Sequence, residues 1–411
     1  MNILFSCDEY PPARTGGIGS ATKTIAENLV RKGHNVYVVS GRLDRSLPEI
    51  AMINGVTVYR LYLMQKFSWL FTNNCIAVNL HNLILRFGLL ARYAISEYHR
   101  KEDFMERIIK EKQIDVVDLP DYTVLSKYYS SAKELLFHRF SIPSVGHIHG
   151  SMSFLRYYRN GGINSVMKAN DKLFFESVDK ILSVSKFAAN FVNEKLDVAS
   201  KCDVIYNPLV SSFADIANNL HIKRKNTIVF LGKIIETKGA FNLIKAFNAF
   251  VKKHPEYELV MIGGGNIDRG KSLVEKSIKD KVCFTGYLRP ENIAAYLKSA
   301  AFCVIPTFFE NFSVAALEVM SCGNILIYTT TSSGPEVIED GVDGFLVNPY
   351  NVQEICNKMN YVADNLDKLE EMRTMAANKI KDNFLENIIV NKLENYYKEM
   401  IVRQSLNILT Q

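Results

Sequence analysis

Ala301-Phe302-Cys303-Val304-Ile305-Pro306 reads as a short buried strand closed by proline. Glu310-Asn311-Phe312-Ser313-Val314-Ala315-Ala316-Leu317-Glu318 follows it as a loop running into a helix, which Ser321-Cys322-Gly323 ends. Glu310 falls on the loop, and Glu318, eight positions later, falls inside the helix. The free amides of the first helical turn, from about Asn311 to Val314, point at whatever anion docks there. A carboxylate on each side of such a site suits an anion flanked by polyols, since each carboxylate can accept two hydroxyl hydrogen bonds. Ribose, diphosphate and sugar in a row have that form. Two solvated glutamates on an amphipathic helix are the plain alternative.

Working outward, the same alternation of apolar strands and helices fills the chain. Strand candidates lie at 3–7, 35–40, 56–61, 115–117, 144–149, 180–184 and 202–205 in the first half. In the second half they lie at 227–231, 257–262, 281–284, 301–305, 325–328 and 345–347. This is the pattern of an α/β protein with parallel sheets covered by helices on both faces. A chain of 411 residues exceeds one ordinary core, so two domains are expected. The reading places a first domain at 1–208, a linker at 209–225 around the basic Lys223-Arg224-Lys225, and a second domain at 226–388. A C-terminal helix at 389–411 is expected to pack back on the first domain.

Composition excludes several classes. Nearly half the residues are hydrophobic and 22% are charged, as in an ordinary globular protein. The net charge of +6 lies wholly within residues 1–210. It lacks the dense basic runs or aromatic-basic motifs of a nucleic-acid binder, so no nucleic-acid partner is expected. The opening Asn2-Ile3-Leu4-Phe5-Ser6-Cys7 has no basic n-region, and no window reads as a membrane span, so a cytoplasmic location is expected. Seven scattered cysteines without a CxxC pair suit buried thiols in a reducing compartment.

Three glycine sites follow strands. Thr15-Gly16-Gly17-Ile18-Gly19 precedes a helix, but Pro11 and Pro12 separate it from its strand, a poor fit to a dinucleotide fingerprint. Met261-Ile262-Gly263-Gly264-Gly265 and Phe284-Thr285-Gly286-Tyr287-Leu288 follow strands of the second half. Lys233 and Lys238, in the segment 230–239, lie on the loop after that half's first strand and suit a diphosphate without metal, with two solvated loop lysines as the plain alternative. Val145-Gly146-His147-Ile148-His149-Gly150 puts two histidine rings on one face of a strand end. A metal there lacks a third ligand at suitable spacing; a histidine bonding a ligand and a structural histidine are the other readings. No Asp-x-Asp motif for a metal-bridged diphosphate is present.

Taken in order, these segments resemble the retaining glycosyltransferases of the GT-B fold, family 4. The resemblance is carried by Gly16-Gly17-Ile18, His149, Ser185, Tyr206-Asn207-Pro208, Gly232 with Lys238-Gly239, Ile262-Gly263-Gly264-Gly265, Gly286, Glu310 with Glu318, and Gly341 with Gly344-Phe345. It implies two Rossmann-like doubly wound domains facing across a cleft that excludes water once closed. It further implies transfer of a sugar from a nucleotide sugar, UDP favoured and GDP possible, to a glycan or lipid-linked saccharide in cell-surface polysaccharide synthesis. No cofactor or metal is implied.

By position, Glu310 resembles the carboxylate that holds the transferred sugar, aided by the backbone of Asn311, Phe312 and Ser313, with Val314 at the helix start. Glu318 resembles the ribose-binding glutamate. Lys238 resembles the residue stabilising the departing diphosphate, with Gly239 beside it, and Lys233 stands where arginine is usual. Gly17 lets its loop approach the diphosphate, and His149 sits near the transferred sugar. The base is expected between Gly263-Gly264 and Gly286-Tyr287-Leu288. Arg14 and Asp121 are acceptor-side candidates, and His149 and Asp121 are the nominees for a base if the reaction inverts. Met64, Phe67, Trp69, Leu70 and Phe71, beside Arg86, Arg92, Arg100 and Lys101, read first as a buried helical insertion and second as an apolar patch for a lipid-linked acceptor, with a peripheral membrane contact through the first domain. A sugar-nucleotide epimerase of the same fold and an inactive partner subunit are the alternatives in function.

Overall fold

The computed structural model describes residues 1–12, 17–42, 46–65, 83, 90–129, 132 and 135–409. The chain forms two compact units. One comprises Met1–Ile205 with Val390–Gln411, and the other comprises Tyr206–Ile389.

The first unit is built on an eight-stranded sheet ordered β3-β4-β2-β1-β5-β6-β7-β8. Its strands are β1 (Asn2–Ser6), β2 (Asn35–Arg42), β3 (Ile50–Ile53), β4 (Val56–Tyr62), β5 (Val116–Pro120), β6 (Ser144–Ile148), β7 (Lys180–Ser183) and β8 (Cys202–Val204). All neighbours pair in parallel except β3, which runs antiparallel to β4. β3 is not among the expected strands, although the turn that joins it to β4 carries a sequence signal. Asn54 and Gly55 both adopt positive φ, 47° and 84°, as a two-residue turn between right-twisted strands requires.

The core of this unit joins Ile3 and Phe5 of β1, Val36 and Val38 of β2, and the helix Gly17–Arg31 to Val390, Leu393, Tyr397 and Met400. The last four lie on one helix, Glu386–Leu409, which begins three residues earlier than residue 389. Its apolar residues recur at intervals of three and four, which places them on one face.

The second unit holds a six-stranded, wholly parallel sheet ordered β11-β10-β9-β12-β13-β14. Its strands are β9 (Lys225–Leu231), β10 (Glu258–Ile262), β11 (Val282–Gly286), β12 (Ala300–Val304), β13 (Leu326–Thr329) and β14 (Phe345–Val347). Ile228, Phe230, Leu259, Met261, Phe302 and Val304 are buried on one face, and Val229, Val260 and Cys303, which alternate with them, are buried on the other, the mark of a sheet covered on both sides.

The expected linker at 209–225 is corrected. Ser211–Asn219 is a helix that buries Phe213 and Ala217 and packs against the helices Pro290–Ser299 and Val314–Ser321. Leu209 is tied by backbone bonds to Phe384 and Glu386, so the segment belongs to the second unit, whose boundary falls at Tyr206. Of the basic run that suggested a linker, Arg224 donates to the Lys298, Ala300 and Gly323 carbonyls and Lys225 opens β9.

Of the segment read as a buried insertion or a membrane patch, two described residues, Met64 and Lys101, are buried. Phe67, Trp69, Leu70, Phe71 and Arg86 lie outside the described residues. Lys101, only 3% exposed in its side chain, is ion-paired at 2.7 Å with the buried Asp8. Arg100 pairs with Glu97 and bonds the Tyr62 carbonyl. Among the described residues no helix is long and apolar enough to cross a membrane. Of the cysteines, Cys7, Cys303, Cys322 and Cys356 are buried, whereas Cys283 is exposed.

Asp8, just after β1, also accepts the amides of Gly41 at 2.5 Å and Val124 at 2.8 Å. Three strand-end segments therefore meet on one carboxylate. Removing it leaves an unpaired buried ammonium and two orphaned amides. Asp8→Ala is expected to cost about 3–5 kcal/mol. Lys101→Met, which keeps both amide bonds, is expected to cost less. Urea unfolding followed by circular dichroism measures both, and an Asp8→Ala protein as stable as the wild type contradicts this account.

Candidate functional site

In a parallel sheet every loop that follows a strand emerges at the same edge, and the loops diverge where the strand order reverses. In the second unit the reversal lies between β9 and β12. Lys233 and Lys238 follow β9, and Glu310 follows β12. The topology alone brings these two loops side by side.

Local contacts then lock them together. Thr307 Oγ1 donates to the Thr237 carbonyl at 3.0 Å, and the Phe308 amide donates to the same carbonyl at 2.9 Å. Thr331 Oγ1 donates to the Phe308 carbonyl at 2.7 Å. Gly239 has φ 68°, and a Cβ there would overlap the Pro306 carbonyl, so only glycine lets the lysine loop press this closely on the end of β12.

The outcome is a direct ion pair between Lys238 Nζ and Glu310 Oε2. Burial, with the neighbouring positive charge of Lys233, pushes the Lys238 pKa down to about 8. Lys233 itself is exposed. Lys238 and Glu310, expected in separate roles, are thus paired with each other. Thr237 and Thr307, which produce the pairing, were not singled out, and no local signal marks them.

Glu318 lies on the helix Val314–Ser321, where burial raises its carboxyl pKa to about 7. Ser313 is the N-cap. Its Oγ accepts the Ala316 amide at 3.3 Å, and its carbonyl accepts that of Leu317. The amides that open the helix are therefore those of Val314 and Ala315, later than the expected stretch from Asn311. Phe312 turns its ring inward, stacking on Tyr206 at 4.9 Å and 22° and tilting against Phe384. Tyr206 of the Tyr-Asn-Pro motif thus acts as a backing plate for the Glu310 loop.

The glycine turns of this unit also converge. The Gly263 amide donates to the Gly286 carbonyl at 2.9 Å, and the Ile234 amide donates to the Gly264 carbonyl at 2.8 Å. These bonds join the lysine loop, the turn after β10 and the end of β11. Tyr287, 78% exposed, lays its ring against Gly264, where a Cβ would overlap it. The ring covers the turn over which a base was expected, and Leu288 beside it is half-buried.

In the first unit the reversal lies between β1 and β5, and Asp121 follows β5. Its Oδ1 accepts the His149 amide at 2.8 Å, and both carboxylate oxygens lie 3.1 Å from the Gly150 amide. Burial, with the charge of Asp171, raises its pKa to about 7. His149 is stacked on His147 at 4.5 Å, and burial holds its pKa well below the usual range, aided by His147.

His147 Nδ1 lies 3.3 Å from the Asp118 carboxylate, which accepts the Tyr397 hydroxyl at 2.6 Å. His149 and Asp121, for which no orienting partner is visible in the sequence, are each other's neighbours. Among the described residues no group of three or more His, Cys, Asp and Glu is placed to hold a metal. Gly17 opens the helix Gly17–Arg31 with open space around it, while Gly19 is the tightly packed position, against the Glu9 carbonyl. Arg14 lies outside the described residues.

Residues 15–211 match the family model described as Glycosyltransferase Family 4, and residues 212–381 match that described as Glycosyl transferases group 1. An uncharacterized glycosyltransferase of Methanocaldococcus jannaschii is 26% identical over 416 residues, covering 97% of this chain and 98% of the relative. Sucrose-phosphate synthase from Thermosynechococcus elongatus superposes with a TM-score of 0.76 at 16% identity, over 98% of this chain and 99% of that one. Anabaena HepE, crystallised in complex with UDP, superposes with a TM-score of 0.65 at 15% identity, over 97% and 100% of the two chains. At such identities the solved structures speak to the fold, which is GT-B, and the matched models speak to the family. With its two halves matched along nearly the whole length, the chain belongs to the GT-B glycosyltransferases.

Proposed function

We propose that the enzyme is a retaining, metal-independent glycosyltransferase. It takes a sugar from a nucleotide sugar, UDP favoured over GDP, and places it on a saccharide or lipid-linked acceptor in cell-surface polysaccharide synthesis. The observation that carries this reading is the convergence of Lys238, Glu310 and the Glu318 helix at the strand reversal of the second unit. Two lysines, a helix start and two carboxylates suit an anion with hydroxyls on both sides. The UDP bound by Anabaena HepE supports the choice of nucleotide. The work is assigned to the cytoplasm or the inner face of the membrane.

Breaking the bond from the anomeric carbon to phosphate leaves a cationic sugar and a diphosphate gaining negative charge. Lys238, Lys233 and the Val314 and Ala315 amides stabilise that charge where it develops, which lowers the barrier. Lys233, lacking arginine's planar fork, supplies charge without parallel hydrogen bonds. In this reading the acceptor hydroxyl attacks from the leaving-group face and gives its proton to the departing phosphate oxygen. Asp121, committed to the His149 and Gly150 amides, serves to position that strand end rather than to act as a base.

The direct test incubates the purified protein with a panel of nucleotide sugars and saccharide acceptors in EDTA. Proton NMR of the new linkage then reads its configuration. Transfer is expected to persist in EDTA with the donor's anomeric configuration kept. Strict dependence on added manganese or magnesium contradicts the diphosphate site, and an inverted product contradicts the mechanism.

The pH dependence follows from two groups. A Glu318 carboxyl with a pKa of about 7 gains its accepting, charged form as pH rises through that value. A Lys238 ammonium with a pKa of about 8 loses its charge above it. Affinity for UDP-glucose, a diphosphate diester, is therefore expected to peak between about pH 7 and 8 and to fall on both sides. Glu318→Gln should remove the acid limb and Lys238→Met the alkaline limb. A flat calorimetric profile in the wild type contradicts both roles.

A further inference from the structure

We infer that the Lys238–Glu310 ion pair is a latch that makes the protein prefer a nucleotide still carrying its sugar to the bare nucleotide that transfer leaves behind. The inference rests on the donor site proposed above and adds a discrimination that neither residue's separate role supplies.

The pair is held from behind, not merely by two flexible side chains. Both loops are fastened through the Thr237 carbonyl, and the Phe308 carbonyl is fastened by Thr331. The side chains are 25% and 23% exposed, sheltered enough for their mutual attraction to count. A diphosphate arriving at this loop must draw on the Lys238 ammonium. Glu310 then loses its only cation among the described residues and faces a new negative charge.

What happens next depends on the ligand. When a sugar follows the diphosphate, its hydroxyls donate to the Glu310 oxygens and replace the lost partner. When the diphosphate ends in water, nothing in the ligand donates to Glu310, which competes for Lys238 and repels the anion. The carboxylate thus opposes the bare nucleotide and accepts the sugar nucleotide. After transfer the sugar departs, Glu310 reclaims Lys238, and the product nucleotide is loosened. Lys233, exposed and without a carboxylate partner among the described residues, draws either ligand and does not discriminate.

Isothermal titration of UDP into the wild type, Glu310→Gln, Lys238→Gln and the double variant tests the latch. Removing the carboxylate's charge is expected to tighten UDP about five- to tenfold, and the gain should vanish in the Lys238→Gln background. A purely structural pair predicts unchanged or weaker UDP binding in Glu310→Gln, and that result overturns the latch. The donor site is judged separately by Glu318→Gln, which should weaken UDP whether or not the latch exists. If neither UDP nor GDP binds the wild type, the donor reading falls and the latch with it. Should Glu310→Gln melt below the wild type, Glu310→Ala is titrated in its place with the same expectations.

Discussion

The reversal of strand order between β9 and β12 is the constraint on which the candidate site depends. Parallel pairing sends the loops after both strands to one edge, and the crossover connections leave in opposite directions, so a crevice opens between them. Into that crevice the chain places a lysine loop from one side and a glutamate loop from the other. The Thr237 carbonyl, taking two hydrogen bonds from Thr307 and Phe308, holds the two loops at contact distance. The Lys238–Glu310 pair is a consequence of that stitch. The first unit repeats the arrangement around β1 and β5, where Asp8 gathers Lys101, Gly41 and Val124.

Much of this was legible in the sequence because the strands are buried on both faces. Runs such as Thr227-Ile228-Val229-Phe230-Leu231 leave little ambiguity once helices separate them. Glycines marking turns, and glutamates one strand-loop-helix step apart, were equally readable. What stayed hidden depends on contacts remote in sequence. Asp8 with Lys101 and Asp118 with Tyr397 join residues from different elements, and neither member carries a local mark. The helix Ser211–Asn219 was missed because only Phe213 and Ala217 are fully buried on it, so a polar surface stretch looked like a connection.

The buried polar groups divide into two kinds. Asp8, Asp118 and Asp121 are each committed to protein donors, which stabilises local geometry and leaves little capacity for a ligand. Glu318 differs: burial alone raises its pKa to about 7. A half-buried carboxylate of that sort is costly unless something polar arrives to bond it. In the proposed reading that carboxylate, with the paired Lys238 and Glu310, is held for a ligand rather than for the fold.

The most direct test of the account is a crystal structure of the protein grown with UDP. The account predicts ribose hydroxyls within hydrogen-bonding distance of the Glu318 carboxylate, and the diphosphate against Lys238 and the Val314 and Ala315 amides. A nucleotide ordered elsewhere, or one bound here without contact to Glu318, would contradict it.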